Sequence, residues 1–320
     1  MPTVLGQNQY GKAETRVVRV TREGPVHHIR DLNVSVALSG AMEDVHLSGS
    51  NASVLPTDTT KNTVFAFAKE HGIASPEEFA ARLAFHFVSG QEAIGTARIR
   101  VEEYAWERIP APGGGAHSFV RRGRETRTAQ VTYGGPDGGW QILSGLKGLV
   151  VMNTTDSEFH GYVKDRYTTL PETRDRILAT EVNAWWRHAG DGGSAGTGGS
   201  AGTGESSGTG SGEEGKRDWD GSYEATRGHL LDAFAGTYSL SLQQTLYAMG
   251  SRVIEEDPRI DEIRLSLPNK HHFLADLRPF GLENDNEVYF AADRPYGLIE
   301  ATVLREGATA AVPPDLTNLP

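Results

Sequence analysis

Cysteine is absent from all 320 residues, which excludes disulfides, thiolate nucleophiles, iron–sulfur clusters and cysteine-ligated zinc. Any chemistry falls to oxygen and nitrogen groups. No run of roughly 18 apolar residues occurs, so no membrane-spanning helix is expected. Met1–Asn8 carries neither the basic nor the apolar region of a secretion signal, and the expected location is the cytoplasm. Basic charge is in deficit: 31 Lys and Arg against 42 Asp and Glu leave a net charge of −11, the opposite of the footprint that phosphate backbones select. Nucleic acid is therefore excluded as a partner. Hydrophobic residues make up only 38%, but that figure omits the 38 glycines, and with them the composition is that of a chain able to build cores. The length suits two domains or one large one.

What is present in excess is glycine, concentrated at 190–215, where 12 of 26 residues are Gly and the hexapeptide Gly-Gly-Ser-Ala-Gly-Thr occurs twice in succession from Gly192. Such a composition reads as a flexible, solvated coil. It is flanked by a strand pattern through Arg176–Trp186 and a helix pattern over Ser222–Ala235, so it reads as an overlong loop inside a domain.

Periodicity gives the same order of elements twice. In the first half, strands at Glu14–Thr21 and Val26–Leu38 meet at a Gly24-Pro25 turn. A helix capped by Thr57 or Asp58 runs to Gly72, and a second opens at Ser75-Pro76-Glu77-Glu78 with an N-cap, a proline at N1 and an acid at N3. Phe79, Leu83 and Phe87 recur every four residues as its buried face. Strands at Ala97–Tyr104 and His117–Tyr133 follow. After a glycine-rich break at 134–139, strands are expected at Trp140–Met152 and Arg174–Trp186. Helices follow over Ser222–Ala235 and from the capping box Ser241-Leu242-Gln243-Gln244, with strands through Ile263–Leu267 and at Glu287–Phe290. Each half is strand–strand–helix–helix–strand–strand, an α+β fold of antiparallel sheets with helices on one face. The expected units are 1–137 and 138–310, the second interrupted by 190–215, with a tail at 311–320.

Singly, the polar candidates say little. His27-His28 and His271-His272 are adjacent pairs whose side chains leave a strand on opposite faces, so they do not readily share a metal. Thr57-Asp58 reads as a cap, Gln243 as a solvated or capping residue of a first helical turn, and Arg176 as a surface charge. Tyr10-Gly11-Lys12 reads as a lead-in to a strand. From pattern alone the chain is a duplicated α+β enzyme or binding protein.

Several words taken together say more. Tyr10-Gly11-Lys12, Thr57-Asp58-Thr59-Thr60-Lys61-Asn62-Thr63, Phe159-His160-Gly161-Tyr162, Arg166-Tyr167-Thr168-Thr169-Leu170, Asp175-Arg176-Ile177-Leu178-Ala179-Thr180, Ser241-Leu242-Gln243-Gln244-Thr245-Leu246-Tyr247, Ser266-Leu267-Pro268-Asn269-Lys270-His271 and Gly297-Leu298-Ile299 resemble the urate oxidase (uricase) family, in the family's order and across nearly the whole chain. The resemblance implies the tunnelling fold, two ββααββ units per chain assembled into a tetrameric barrel. It also implies oxidation of urate by O2 and water to 5-hydroxyisourate and hydrogen peroxide, with no metal or organic cofactor.

By the same resemblance Arg176, Gln243 and Phe159 supply the guanidinium fork, the amide and the stacking ring for a flat anion. Leu242 and Ile299 line the pocket, and the backbone N–H groups of Leu242 and Asp58 donate to the substrate. Lys12, Thr57 and His271 form the proton relay, which demands a neutral Lys12 amine. Thr57 and Asn269 hold O2 and then water. The family's sites lie between subunits, so Lys12, Thr57 and Asp58 are expected from one chain and the other residues from its neighbour. A bacterial cytoplasmic homotetramer is the expectation, since Thr317-Asn318-Leu319-Pro320 is not a peroxisomal signal. The alternative from another class is a purine- or pterin-binding tunnelling-fold protein, catalytic or purely binding.

Overall fold

In the computed structural model, residues 3–110, 116–189 and 217–314 are described, apart from the side chain of Asp293. The glycine-rich stretch at 190–215 and the last six residues of the tail lie outside them. The chain divides into two compact units, the first Met1–Arg122, Arg127–Ser144 and Gly190–Tyr223, the second Gly123–Thr126, Gly145–Ala189 and Glu224–Pro320.

The first unit begins with β1 (Tyr10–Glu23) and β2 (Val26–Gly40), joined by a turn in which Gly24 takes a φ of +61°. A short α1 (Asp44–Leu47) precedes α2 (Thr57–Glu70) and α3 (Pro76–Gly90), and β3 (Ile94–Glu103), β4 (Trp106–Arg108), β5 (Phe119–Arg121), β6 (Thr126–Tyr133) and one-turn α4 (Gly135–Gly138) complete it. The sheet order is β1-β2-β3-β6, antiparallel, with β4 and β5 a separate small ribbon. The expected single strand over His117–Tyr133 is thus two strands, broken at Gly123, whose φ of +49° lies in the left-handed region. Alternation along β2 sends Leu32, Val34, Val36 and Leu38 inward, where they meet Phe79, Leu83 and Phe87 of α3 and Val64 and Ala68 of α2. Burying each large side chain contributes about 1.5–3 kcal/mol. Ser75 caps α3 as expected, its hydroxyl accepting the Glu78 N–H at 3.1 Å.

Under α3 lies a buried ion network. Arg127 donates to Glu77 at 2.7 Å and Asp220 at 2.6 Å, and Ser144 donates to the other Glu77 oxygen at 2.7 Å. Glu77 and Arg127 are buried, and burial pushes the Glu77 carboxyl up against the opposing pull of Arg127.

The second unit contains the continuation of β7 (Trp140–Asn153), then β8 (Leu178–His188), most of α5 (Trp219–Gly236), α6 (Leu242–Glu256), β9 (Ile260–Leu274) and β10 (Tyr289–Leu304). The strand order is β7-β8-β9-β10. Leu242, Leu246, Met249 and Val253 bury the stripe of α6 on β9 and β10. Gly250 permits the approach, since a Cβ there would lie 2.6 Å from Val303 Cγ2.

Expected boundaries move: β1 begins at Tyr10 rather than Glu14 and so includes Lys12, and β9 runs past Leu267 to Leu274. β8 begins at Leu178 rather than Arg174, leaving Arg176 on the connection before it. The last strand runs from Tyr289 to Leu304 instead of ending at Phe290, because pairing with β9 resumes at Gly297 after a register shift that begins beyond Ala292. The chain is α+β, with strand pairs, helices and further strands following one another in the same order in each unit. Among the described residues no helix is long and apolar enough to cross a membrane.

Candidate active site

In the first unit, β1 and the start of α2 bring Lys12, Thr57 and Asp58 together. β1 contains a bulge: Lys12 pairs with Val36 and Thr15 with Val34, so Ala13 and Glu14 together face Ser35. Glu14 takes a left-handed φ of 57°, and its N–H donates to Ser35 Oγ at 3.0 Å. In an unbroken strand, residues 12 and 15 would face opposite sides. The extra residue puts Lys12 on the face of Val36, the buried face where Thr15 and Val17 also lie, and leaves it half-buried. Gly11 is required beside it, because any Cβ would sit 1.8 Å from the Val36 carbonyl oxygen.

Thr57 is not the cap of α2, as the sequence suggested. Pro56 is the N-cap and makes no side-chain capping bond, and Thr57 is the first helical residue. Neither Thr57 nor Asp58 caps, since in the first turn their side chains lie beyond the capping position. The Thr57, Asp58 and Thr59 N–H groups have no intrahelical acceptor there, and the helix dipole adds positive potential. The Asp58 side chain turns along its own helix to Lys61 and Asn62. Its carboxyl is held below the ordinary value by the Lys61 hydrogen bond first, with the Lys12 charge a smaller contribution. The backbone of this turn thus stays open while its carboxylate is occupied elsewhere.

The second unit gathers the remaining seven. Arg176 donates from Nε to Ser157 Oγ at 3.2 Å, and its guanidinium lies 5.1 Å from the centre of the Phe159 ring. No carboxylate lies within ion-pair distance of it among the described residues. Burial alone pushes the Arg176 guanidinium below its ordinary value. Phe159 is held by paired backbone bonds with Thr173 at 2.8 and 3.0 Å and stacks on Tyr162 at 4.9 Å.

Ser157 is also the link to α6. It bridges to Ser239, whose hydroxyl accepts from Thr245 at 2.8 Å, so the Arg176 segment and the start of α6 share a buried serine pair. At that start Ser241 is the N-cap, accepting the Gln244 N–H at 3.1 Å, and Gln244 accepts the Leu240 N–H at 2.7 Å. Gln244 therefore completes the cap, and the exposed Gln243 amide makes no hydrogen bond among the described residues. Leu242, at N1, presents its N–H with no intrahelical acceptor.

On β9, Asn269 and His271 share a face two residues apart, with Asn269 paired to Thr180 and Gly297 and His271 to Ala292. The β10 register shift lies opposite the Lys270 between them. Ile299, half-buried, pairs with Leu267. His271 is held below its ordinary value by burial first, then by the charges of Arg176 and His272, so the imidazole is neutral at pH 7. His272 turns its Nδ1 toward the Lys270 carbonyl at 3.0 Å. Among the described residues no group of three or more His, Cys, Asp or Glu side chains is placed to hold a metal ion.

Sequence reasoning missed the bulge, Ser157 and the division of labour between Gln243 and Gln244. Only the last left a trace, in the Ser241-x-x-Gln244 spacing of a capping box. The second unit's arrangement suits a planar anion: a half-buried guanidinium with no carboxylate partner among the described residues, an amide with no hydrogen bond among them, and a helix start with an open N–H.

The Uricase family profile matches residues 8–132 and 142–300. A uricase of Arthrobacter globiformis is 50% identical over 310 residues, covering 97% of this chain and 93% of that protein, and a uricase of Oryctolagus cuniculus is 34% identical, covering 93% of each. The crystal structure of uricase from Arthrobacter globiformis superposes with a TM-score of 0.85 at 49% identity, covering 98% of this chain and 99% of that one.

Proposed function

This chain belongs to the uricase family, and from that premise we propose how its side chains carry out the oxidation of urate. The activity is that of a urate oxidase. Urate, O2 and water give 5-hydroxyisourate and hydrogen peroxide: urate loses two electrons, O2 gains them with two protons, and the new hydroxyl oxygen comes from water.

Arg176 pairs with the substrate anion and Gln243 matches its amide edge, while Phe159 stacks on the ring. Leu242 and Ile299 wall the pocket, and the N–H groups of Leu242 and Asp58 donate to substrate oxygens or nitrogens. Before urate can pass electrons to O2 it gives up a further proton. Lys12 takes that proton through Thr57, with His271 completing the relay. Asn269 and Thr57 hold O2 and then the attacking water. The observation that carries this assignment is the half-buried Arg176, close enough to His271 to depress its pKa and with no carboxylate partner among the described residues.

The seven residues of the second unit and the three of the first come from different subunits of a homotetramer, and the two tunnelling-fold units divide at 137/138. No metal or organic cofactor takes part, and the enzyme works in the bacterial cytoplasm. The test is turnover by chelated enzyme under air: loss of urate's ultraviolet absorbance with one peroxide formed per urate is the expected result. Binding without peroxide would overturn it. Mixed tetramers of two inactive variants, Lys12→Ala and Arg176→Met, test the shared site, because activity returns on mixing only if the two sets come from different chains.

A further inference from the structure

Tyr10 stands two residues before Lys12 on β1, on the same face, since it pairs with Leu38 as Lys12 pairs with Val36. Its ring packs against the core of the first unit, and its hydroxyl accepts the Leu55 N–H at 3.0 Å. Leu55 is two residues before Thr57. One side chain thus ties the strand that carries Lys12 to the loop from which α2 starts.

Leu55 also packs against the core, and Thr60 Oγ1 donates to the Thr57 carbonyl at 2.6 Å, but among the described residues the Tyr10 hydroxyl makes the one side-chain hydrogen bond from β1 to this start. Pro56, the N-cap, has no side-chain capping bond and no N–H of its own, so the loop lacks the anchor that a serine cap gives α3 and α6. The Tyr10 contact replaces that anchor from outside the helix. We infer that Tyr10 is a positioning residue for urate oxidation: its hydroxyl sets the distance between the Lys12 amine and the Thr57 hydroxyl by fixing the Leu55 backbone against β1. The inference rests on the reading that these two groups form the proton relay.

A proton passes along such a chain only when donor and acceptor lie within hydrogen-bond reach, and a displacement near 1 Å can cost about a hundredfold in rate. Most of the substrate contacts come from Arg176, Gln243 and Phe159, and only the Asp58 N–H belongs to this helix start, so the contact bears more on kcat than on affinity. Tyr10→Phe keeps the ring and its packing and removes only the acceptor.

In the full-length enzyme, Tyr10→Phe is expected to lower kcat about ten- to a hundredfold while the KM for urate changes less than about threefold. In a Thr57→Val background the same change is expected to lower kcat no further, because the relay it serves is already broken. An unchanged kcat, a loss that appears mainly in KM, or a full further loss in the Thr57→Val background would each overturn the positioning role. Retention of wild-type kcat by Lys12→Ala would instead overturn the relay on which it depends.

Discussion

Replacing Arg176 by methionine separates a functional charge from a structural one, because the two predict opposite effects on stability. In the folded protein the guanidinium gains one hydrogen bond to Ser157 at 3.2 Å, worth about 0.5–1.5 kcal/mol, and a contact with the Phe159 ring at 5.1 Å, worth about 0.5–1 kcal/mol. Against these stands the desolvation of an unpaired cation. A fully buried ion costs several kcal/mol, so a half-buried one costs roughly 2 kcal/mol. The terms nearly cancel. Met keeps the aliphatic stem and removes the desolvation, so unliganded Arg176→Met is expected to unfold within about 1 kcal/mol of wild type, on the more stable side. Urate binding, in contrast, should weaken by about 2–5 kcal/mol, or thirtyfold to several-thousandfold, as the ligand charge loses its partner. Thermal denaturation without ligand and with urate under anaerobic conditions measures both. Urate should raise the wild-type midpoint and leave the variant's unmoved. A loss of more than about 2 kcal/mol in the unliganded variant, or urate protection equal to wild type, would refute the reasoning and make Arg176 a structural residue.

The acid limb of kcat/KM should fall below the ordinary histidine value, because burial and the Arg176 charge depress His271 and the neutral ring is the working form. With Arg176→Lys that limb should stay low, since the positive charge remains, and a limb at or above the ordinary value in wild type would dissociate it from His271. Arg127→Met should cost about 3–5 kcal/mol at neutral pH by leaving Glu77 buried and unpaired. The Glu77 carboxyl is already raised, so the folded state holds its proton to higher pH than the unfolded chain. The loss should therefore deepen as pH rises above the ordinary carboxylate range, and adding Glu77→Gln should remove the pH dependence in urea unfolding. At the β1 bulge, Glu14→Val should destabilise by about 1–2 kcal/mol, as a branched side chain resists the left-handed φ, while Glu14→Gly should stay within about 0.5 kcal/mol of wild type. Equal melting points for the two would show that the bulge relaxes.

Much of the fold is legible along the chain because caps and stripes are local. Ser75 and Ser241 cap where their spacing to Glu78 and Gln244 says they should, and Phe79, Leu83 and Phe87 are buried at the interval they repeat. Where the pattern failed, a partner strand supplied the missing constraint. The last strand is expected to end at Phe290, and only with β9 placed beside it does the chain beyond become a register shift opposite Lys270, after which pairing resumes at Gly297. Thr57 looks like a cap because Thr caps helices often, and nothing local says that Pro56 takes that position.

The sequence by itself determined the duplicated ββααββ order, the exclusion of thiol chemistry, and the words that resemble urate oxidases, since composition, periodicity and short motifs are properties of one dimension. Which way Lys12 faces was decided only by tertiary structure. Alternation counted along β1 assigns residues 12 and 15 to opposite faces, and only the pairing with β2, where Ala13 and Glu14 share the single partner Ser35, turns both inward. The same holds for Arg176, whose lack of a carboxylate partner among the described residues depends on what folds around it and cannot be read from its neighbours in the chain. Register and desolvation belong to pairs and surroundings, so no reading of single positions contains them.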